Sequence, residues 1–278
     1  MSTADIRSHW EGAAPGWARW EATIAASMAP ATDAMLAMAA IDVGARVLDL
    51  ASGAGSQTLR AAQLVGSRGH VVATDISETM LGYVQQNARS DGLTNVTTLA
   101  GAAEDLDVSA ESFDAVICRL GLMLFNDPAA ALRAARRALR PRGKASAVVF
   151  TTPAANPFMA KPMQILLRRA GKTPPAPGQP GVFALGAPGV IERLFADSGF
   201  ESVERRTVPL AFRLPSAALA LAMMQEAFGA YRAVVSGCPE PVRLAAWAEV
   251  AETLRSFETA TGFLGPAEVL VAAGAKPV

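Results

Sequence analysis

The chain has 278 residues, 51% of them apolar, with Lys+Arg and Asp+Glu balanced at 25 each. This suits one α/β domain with an appended cap, or two small domains, and the charge balance argues against a general nucleic-acid binder. Two cysteines, Cys118 and Cys238, suggest neither a disulfide framework nor a cysteine-rich metal site, so no metal is expected. With no signal-peptide pattern and no apolar run near the about 20 residues that span a bilayer, a cytoplasmic protein without membrane insertion is expected.

Residues 4–42 read as helices, a short piece holding His9 and Trp10 being separated by Gly12, Pro15 and Gly16 from the next. Trp17, Trp20, Ile24 and Met28 fall at helical spacing, and Pro30 suits a new helix start. Each tryptophan alone is readily explained by core packing. Together, Trp10, Trp17 and Trp20 propose a lid that covers a ligand. Strand and helix then alternate: strands at 45–50, 70–75, 95–99, 113–118 and 145–150, helices at 56–66, 78–90 and 128–139. Such alternation means right-handed βαβ units and a parallel sheet. Pro141-Arg142-Gly143 is expected to turn the chain into the fifth strand.

Seven prolines, from Pro153 to Pro180 and including Pro177, punctuate residues 151–185, which read as a covering segment around a helix near 159–170. A helix at 187–198 ends at Gly199. Strand-like residues follow at 201–212, then helices at 216–235 and 239–256, and a last strand at 269–275. The expected fold is α/β: a Rossmann-like, doubly wound, seven-stranded, mostly parallel sheet. An N-terminal helical lid (1–42) precedes the core (43–150), and the remainder (151–278) carries a helical cap (about 213–258) inserted before the last strand. The basic run from Arg133 to Lys144 reads as the solvated face and end of a helix.

The stretch Val47-Leu48-Asp49-Leu50-Ala51-Ser52-Gly53-Ala54-Gly55 is a buried strand breaking into a glycine turn before a helix. Gly53 and Gly55 let a ligand lie on bare backbone, and the helix start offers free N–H groups. Asp75, about twenty residues on, ends the second strand, where a carboxylate can accept hydrogen bonds from ribose hydroxyls. A dinucleotide site wants a third glycine where Thr58 stands. Asp49 before the turn is out of place near a pyrophosphate and better used facing a cation. S-adenosylmethionine (SAM) has a sulfonium and an ammonium and no phosphates.

At this point the chain resembles class I SAM-dependent methyltransferases, in the branch similar to the ubiquinone/menaquinone C-methyltransferases. The matching residues are the turn itself, Ala73-Thr74-Asp75-Ile76-Ser77 with Met80, Gly101-Ala102-Ala103-Glu104-Asp105-Leu106 and Ser112-Phe113-Asp114-Ala115-Val116. Arg119-Leu120-Gly121-Leu122-Met123-Leu124-Phe125-Asn126-Asp127-Pro128, Leu139-Arg140-Pro141-Arg142-Gly143 and Ala196-Asp197-Ser198-Gly199-Phe200 also match. The resemblance covers roughly residues 10–210 and weakly the C-terminus, and its specificity lies in the order and spacing together.

The resemblance implies SAM as cofactor and S-adenosylhomocysteine (SAH) as product. Asp49 would act near the methionine ammonium. Ala51, Ser52, Gly53 and Gly55 would form the cradle, and Asp75 would bind the ribose. Ile76 and Met80 would pack on adenine, with Ala103 and Glu104 at its edge. Arg119 and Leu120 would touch the methionine end through backbone, and Trp10, Trp17 or Trp20 would close the lid. Ala51 replaces the family's commoner first glycine, Ala102 stands where many members have an aspartate for the adenine amino group, and Arg142 replaces half of a Gly-Gly turn.

Methyl transfer from a sulfonium is an in-line displacement that needs positioning above all and a base only where the acceptor must lose a proton. His70 begins a strand at the wrong end for this. His9 is the candidate base, with Tyr231 and Glu226 weaker, and Arg119 can pair with an acidic acceptor group or sit in an internal salt bridge. Met123, Phe125, Met159, Phe183, Met223, Met224 and Phe228 form a candidate pocket for a small hydrophobic acceptor, aromatic or quinonoid, methylated on carbon, oxygen or nitrogen, as in secondary metabolism. A monomer or homodimer is expected. An NAD-type oxidoreductase and a non-catalytic SAM-binding protein are the alternatives; the first lacks both the third glycine and a Tyr-x-x-x-Lys pair.

Overall fold

The computed structural model describes residues 2–176 and 178–278; Pro177, one of the prolines of the covering segment, lies outside them. The chain opens with one helix of 36 residues, α1 (Thr3–Met38), with Pro15 and Pro30 inside it. The expected breaks at Gly12–Gly16 and Pro30 do not occur. An interior proline costs a helix about 3 kcal/mol. Against that, α1 buries Ile24, Met28, Met35 and Leu36 to 3% exposure or less, at about 1.5–3 kcal/mol each. The Ser27 and Thr32 hydroxyls donate to the carbonyls of Thr23 and Met28, inside the helix flanking Pro30.

The core follows in order: β1 (Arg46–Leu50), α2 (Ser56–Val65), β2 (His70–Asp75), α3 (Glu78–Ser90), β3 (Val96–Ala100), β4 (Phe113–Arg119), α4 (Pro128–Ala138) and β5 (Leu139–Phe150). Their sequences explain them. Val47, Leu48 and Leu50 of β1 are buried, as suits a central parallel strand covered on both faces. Ser77 caps α3 and Asp127 caps α4, each side chain accepting a first-turn N–H. Strand β5 starts earlier than expected: Leu139 already pairs with Phe113, and Pro141-Arg142-Gly143 is a bulge within the strand, before pairing resumes at Lys144. Arg142 at φ 66° carries the bend.

Next come α5 (Pro157–Arg169), α6 (Val190–Asp197), β6 (Glu201–Leu214), α7 (Ala217–Glu226), α8 (Gly229–Val235), α9 (Glu240–Arg255), β7 (Glu258–Thr259) and β8 (Gly262–Ala275). The sheet runs β3-β2-β1-β4-β5-β8-β6, with the two-residue β7 paired to β8 off that path. Strands β1 to β5 are parallel, and β8 is antiparallel to both β5 and β6. The architecture is therefore the Rossmann-like, mostly parallel α/β fold. Strand order reverses between β1 and β4, the switch point where ligands sit outside the carboxyl ends of such sheets.

Two differences from the sequence expectation concern the cap. The apolar run 216–235 is two helices, α7 and α8, parted at Ala227-Phe228. Strands β6 and β8 are 14 residues each and pair antiparallel from Glu201–Ala275 to Leu214–Phe263, with the cap helices inserted between them in the chain. Helix α5 is tied to α9 by Arg168 and Arg169 paired with Glu249. Among the described residues no helix is long and apolar enough to cross a membrane.

Candidate active site

The glycine turn leaves β1 through Ala51 (φ 53°), Gly53 (φ 56°) and Gly55 (φ 99°), all left-handed. Two of the three are glycine because a side chain there is strained. A Cβ on Gly53 would also come within 3.2 Å of the Trp17 indole nitrogen. Asp75 ends β2 beside the turn. Its Oδ2 accepts the Gly53 N–H at 3.0 Å and its Oδ1 the Ser77 N–H at 2.9 Å. Each oxygen keeps a further lone pair for a ligand hydroxyl. Burial pushes the Asp75 carboxyl up to about 6, against these hydrogen bonds.

A cavity of about 330 Å³ opens over this turn, at the small end of ligand pockets, about 300–1,000 Å³. At one end its wall is Gly53, Asp75, Ile76, Met80 and the single helical turn Ala103–Asp105. Ala51, Arg119 and Leu120 stand at the switch point. Met123, Phe125, Met159 and Phe228 form the apolar part, and Trp10 and Trp17 of α1 close the side. Leu120 (φ 63°) joins Ala51 as a non-glycine residue in the left-handed region on this wall, the kind of local strain that clusters at functional sites.

Asp49 does not reach the cavity. It is wholly buried, with its Oδ2 accepting from the Thr58 hydroxyl at 2.6 Å and its Oδ1 from the Gln57 amide at 3.4 Å. Burial outweighs these bonds and the nearby Arg119, and lifts its carboxyl to about 7. Ser52 and Gly55 also lie behind the wall, and Ala54 O accepts from Asn87. The role of Thr58 was within reach of the sequence: a hydroxyl nine residues after Asp49, one helical turn into α2, is placed to answer a buried carboxylate.

The Arg119 backbone lines the cavity, but its guanidinium is engaged internally. Nη1 donates to Thr32 Oγ1 at 3.1 Å and Nη2 to Ser56 Oγ at 2.7 Å, and Glu21 lies 3.9 Å away. The internal salt bridge is thus the structure's answer, and Arg119 does not present its charge to an acceptor. Trp20 is turned away from the cavity, its indole donating to Glu226 Oε2 at 2.8 Å. His9 stands one layer back, edge-on to Trp10 at 5.4 Å and packed against Gly229; burial first, then Arg232, lowers its pKa. Tyr231 lines the cavity, but its hydroxyl donates to Met159 O at 2.8 Å, and burial raises its pKa. Met223 and Met224 are core residues beneath the cap, because the inner face of α7 packs them out of contact with solvent. Phe183 packs on Phe150 instead of forming the wall, where Val182 and Phe212 stand. Neither of these two was singled out from sequence, since an isolated apolar residue on a loop or strand carries no signal.

Helix α1 also supplies what the sequence did not reveal. Glu11 Oε1 accepts the Glu78 N–H at 2.7 Å, and Glu21 Oε1 accepts the Ser56 N–H at 3.1 Å. These carboxylates cap α3 and α2 from outside, and α2 has no side-chain cap of its own.

The switch-point turn, the carboxylate that ends β2 and the sheet order give this Rossmann-like domain a site whose free acceptors suit the hydroxyls of a nucleoside. Residues 41–164 match the family model described as a methyltransferase domain. The ubiquinone/menaquinone biosynthesis C-methyltransferase UbiE of Shewanella frigidimarina is 39% identical over 117 residues, 42% of this chain and 47% of that protein. The chain thus spans about half the length of the curated relatives it matches. The YcgJ protein of Bacillus subtilis shares the fold (TM-score 0.60, 17% identity, 90% of this chain and 99% of that one). So does phosphoethanolamine N-methyltransferase 2 of Haemonchus contortus, solved with SAH (TM-score 0.55, 16% identity, 90% and 53%).

Proposed function

We propose that the protein is a SAM-dependent methyltransferase acting on a small hydrophobic acceptor, aromatic or quinonoid, in the cytoplasm. The observation that carries this reading is Asp75, fixed by Gly53 and Ser77 at one end of a cavity whose other end is apolar. In this account the chain works as a lid (1–42), a cofactor-binding core (43–150) and a C-terminal part with the substrate cap.

When bound, the cofactor supplies an electrophilic methyl group on a sulfonium. The chain's own residues do the rest. Asp75 would accept the ribose hydroxyls, Ile76 and Met80 would pack on the base, and Ala103 with Glu104 or Asp105 would meet its edge, since Ala102 has no acceptor to offer. Backbone groups of Ala51, Gly53 and Leu120 hold the methionine end. Trp10 and Trp17 exclude water, and Met123, Phe125, Met159 and Phe228 orient the acceptor. With Tyr231 committed to Met159 and His9 behind the wall, rate acceleration is assigned to positioning and exclusion of water. The NAD reading is not retained: at the position of a dinucleotide's third glycine, Thr58 is spent on Asp49.

The test is a screen of phenols, hydroxyquinones and indoles with methyl-labelled SAM. Label transfer to one class, abolished by Asp75→Ala, is expected. Binding of NAD in place of SAM would refute the reading.

A further inference from the structure

The first turn of α3 is held from two directions. Asp75 Oδ1 accepts the Ser77 N–H at 2.9 Å, and the Ser77 hydroxyl accepts that of Met80 at 3.1 Å. The two amides between them belong to Glu11 of α1, whose Oε1 lies 2.7 Å from Glu78 N and 3.5 Å from Thr79 N. First-turn amides attract carboxylates, so Glu11 and Asp75 compete for one set of donors. With Glu78 and Thr79 taken, Asp75 is left with Ser77 and, across the glycine turn, with Gly53 N at 3.0 Å. That bridged pose leaves a lone pair on each oxygen for a ligand. Like charge acts in the same sense, since a second carboxylate on those amides makes them poorer partners for Asp75. Trp10, next to Glu11 on α1, lines the cavity, so the docking of this stretch of α1 and the pose of Asp75 are linked through the start of α3.

Burial is the main cause of the raised Asp75 carboxyl, and the charge of Glu11 adds to it. Glu11 itself is held below the ordinary carboxylate value by hydrogen bonds, that of the Thr79 hydroxyl first, so it stays charged while Asp75 titrates. The other charged groups near this turn are Arg7 and Glu78, paired at 3.8 Å, Asp49 inside the sheet, and Glu104 and Asp105 on the cavity wall. Glu11 differs from them in holding amides of the same turn as Asp75.

Resting on the SAM reading, we propose that Glu11 is a positioning residue: it occupies the first amides of α3 and thereby keeps Asp75 bridged to Gly53, in the pose that receives the cofactor's ribose. Glu11 is not part of the cavity wall and acts only through Asp75.

The test is calorimetry with SAH and with its 2′,3′-dideoxy analogue, which lacks only the ribose hydroxyls, between about pH 5 and 8. In the wild type SAH should bind about tenfold or more tighter than the analogue at the upper end of that range, the size of one hydrogen bond to a charged group. Glu11→Ala should close most of that gap and leave the analogue's own affinity unchanged. Glu11→Gln keeps an oxygen that accepts both N–H groups but loses the charge. It should retain the gap at the upper end, while the fall of SAH affinity towards acid pH sets in lower than in wild type, because the carboxylate that raised Asp75 is gone. A gap that persists in Glu11→Ala, or equal loss of both ligands, would overturn the proposal, the second by showing a merely structural cap. Should Glu11→Ala not fold, Glu11→Gln decides, and an acid limb that stays at the wild-type pH overturns it. Equal affinities in the wild type would overturn it as well. If the wild type binds neither ligand, it is the SAM reading that fails.

Discussion

At the scale of single residues, the site is built from carboxylates placed where water is scarce. Burial raises the Asp75 carboxyl to about 6. A ligand that donates hydroxyls to the ionised form gains nothing from the protonated one. SAH affinity should therefore be flat above about pH 7 and fall as pH drops through about 6, approaching tenfold per pH unit, and Asp75→Asn should bind weakly at every pH. Calorimetry across that range checks this. Asp49 acts on stability instead. Its carboxyl is raised from 3.8 to about 7, so its contribution is fully present when protonated and is lost as pH rises through that value. Asp49→Asn should therefore be more stable than wild type above about pH 7 and flatten the pH dependence of chemical denaturation between about pH 4 and 7.

Ala51 and Gly121 form a second residue-scale pair. A Cβ on Gly121 would stand 2.7 Å from the Ala51 Cβ, with Cys118 Sγ at 3.1 Å. The methyl at Ala51 occupies the space that Gly121 leaves free. Gly121→Ala should destabilise by about 1–3 kcal/mol, the usual range for overpacking. Ala51→Gly removes both the crowding methyl and the left-handed alanine. The double variant should recover part of the loss, and a double-mutant cycle by denaturant unfolding measures the coupling.

At the scale of elements, α1 is the part that joins the two halves of the site. Its Glu11, Trp17 and Glu21 reach α3, Gly53 and α2, while its Gly16 and Trp20 meet Glu226 at the end of α7. Two glycines of the same helix make opposite predictions. A Cβ on Gly16 would overlap the Glu226 backbone, whereas one on Gly12 would meet no atom within 4 Å. Gly16→Ala should push α1 off the cap, lower the melting temperature and weaken SAH binding. Gly12→Ala should stabilise by about 0.5–1 kcal/mol through helix propensity alone. Equal effects at the two positions would mean that α1 does not pack as a continuous helix on α7.

At the scale of the whole molecule, the sheet was legible because its strands are short apolar runs bounded by glycine, proline and capping residues. The turn at 51–55 and Asp75 after β2 are local signals of the same kind. What escaped the sequence depends on partners far along the chain. Pro15 and Pro30 mark helix breaks by every local rule, yet tertiary burial of Met28, Ala31 and Met35 carries the helix through them. Glu11 and Glu21 look like solvated acids until the fold sets them on α3 and α2. Trp20, one turn from Trp17, points to Glu226 because α7 packs there, and the split of 216–235 into α7 and α8 follows from the packing of Phe228 on Trp17, Phe212 and Tyr231. Arg119 at a strand end is a candidate for substrate or for structure, and only the positions of Thr32, Ser56 and Glu21 decide between them.

The central claim is that the turn between β1 and α2, together with Asp75, holds a SAM-type nucleoside and not a dinucleotide. Titrating the protein with SAH and with NAD while following its melting temperature tests this most directly, because a ligand that binds only the folded state stabilises it by about 2.7 kcal/mol at a hundred times its Kd. The account predicts a dose-dependent rise with SAH, none with NAD, and no rise with SAH in Asp75→Ala. A rise with NAD alone, or an undiminished response to SAH in Asp75→Ala, would contradict it.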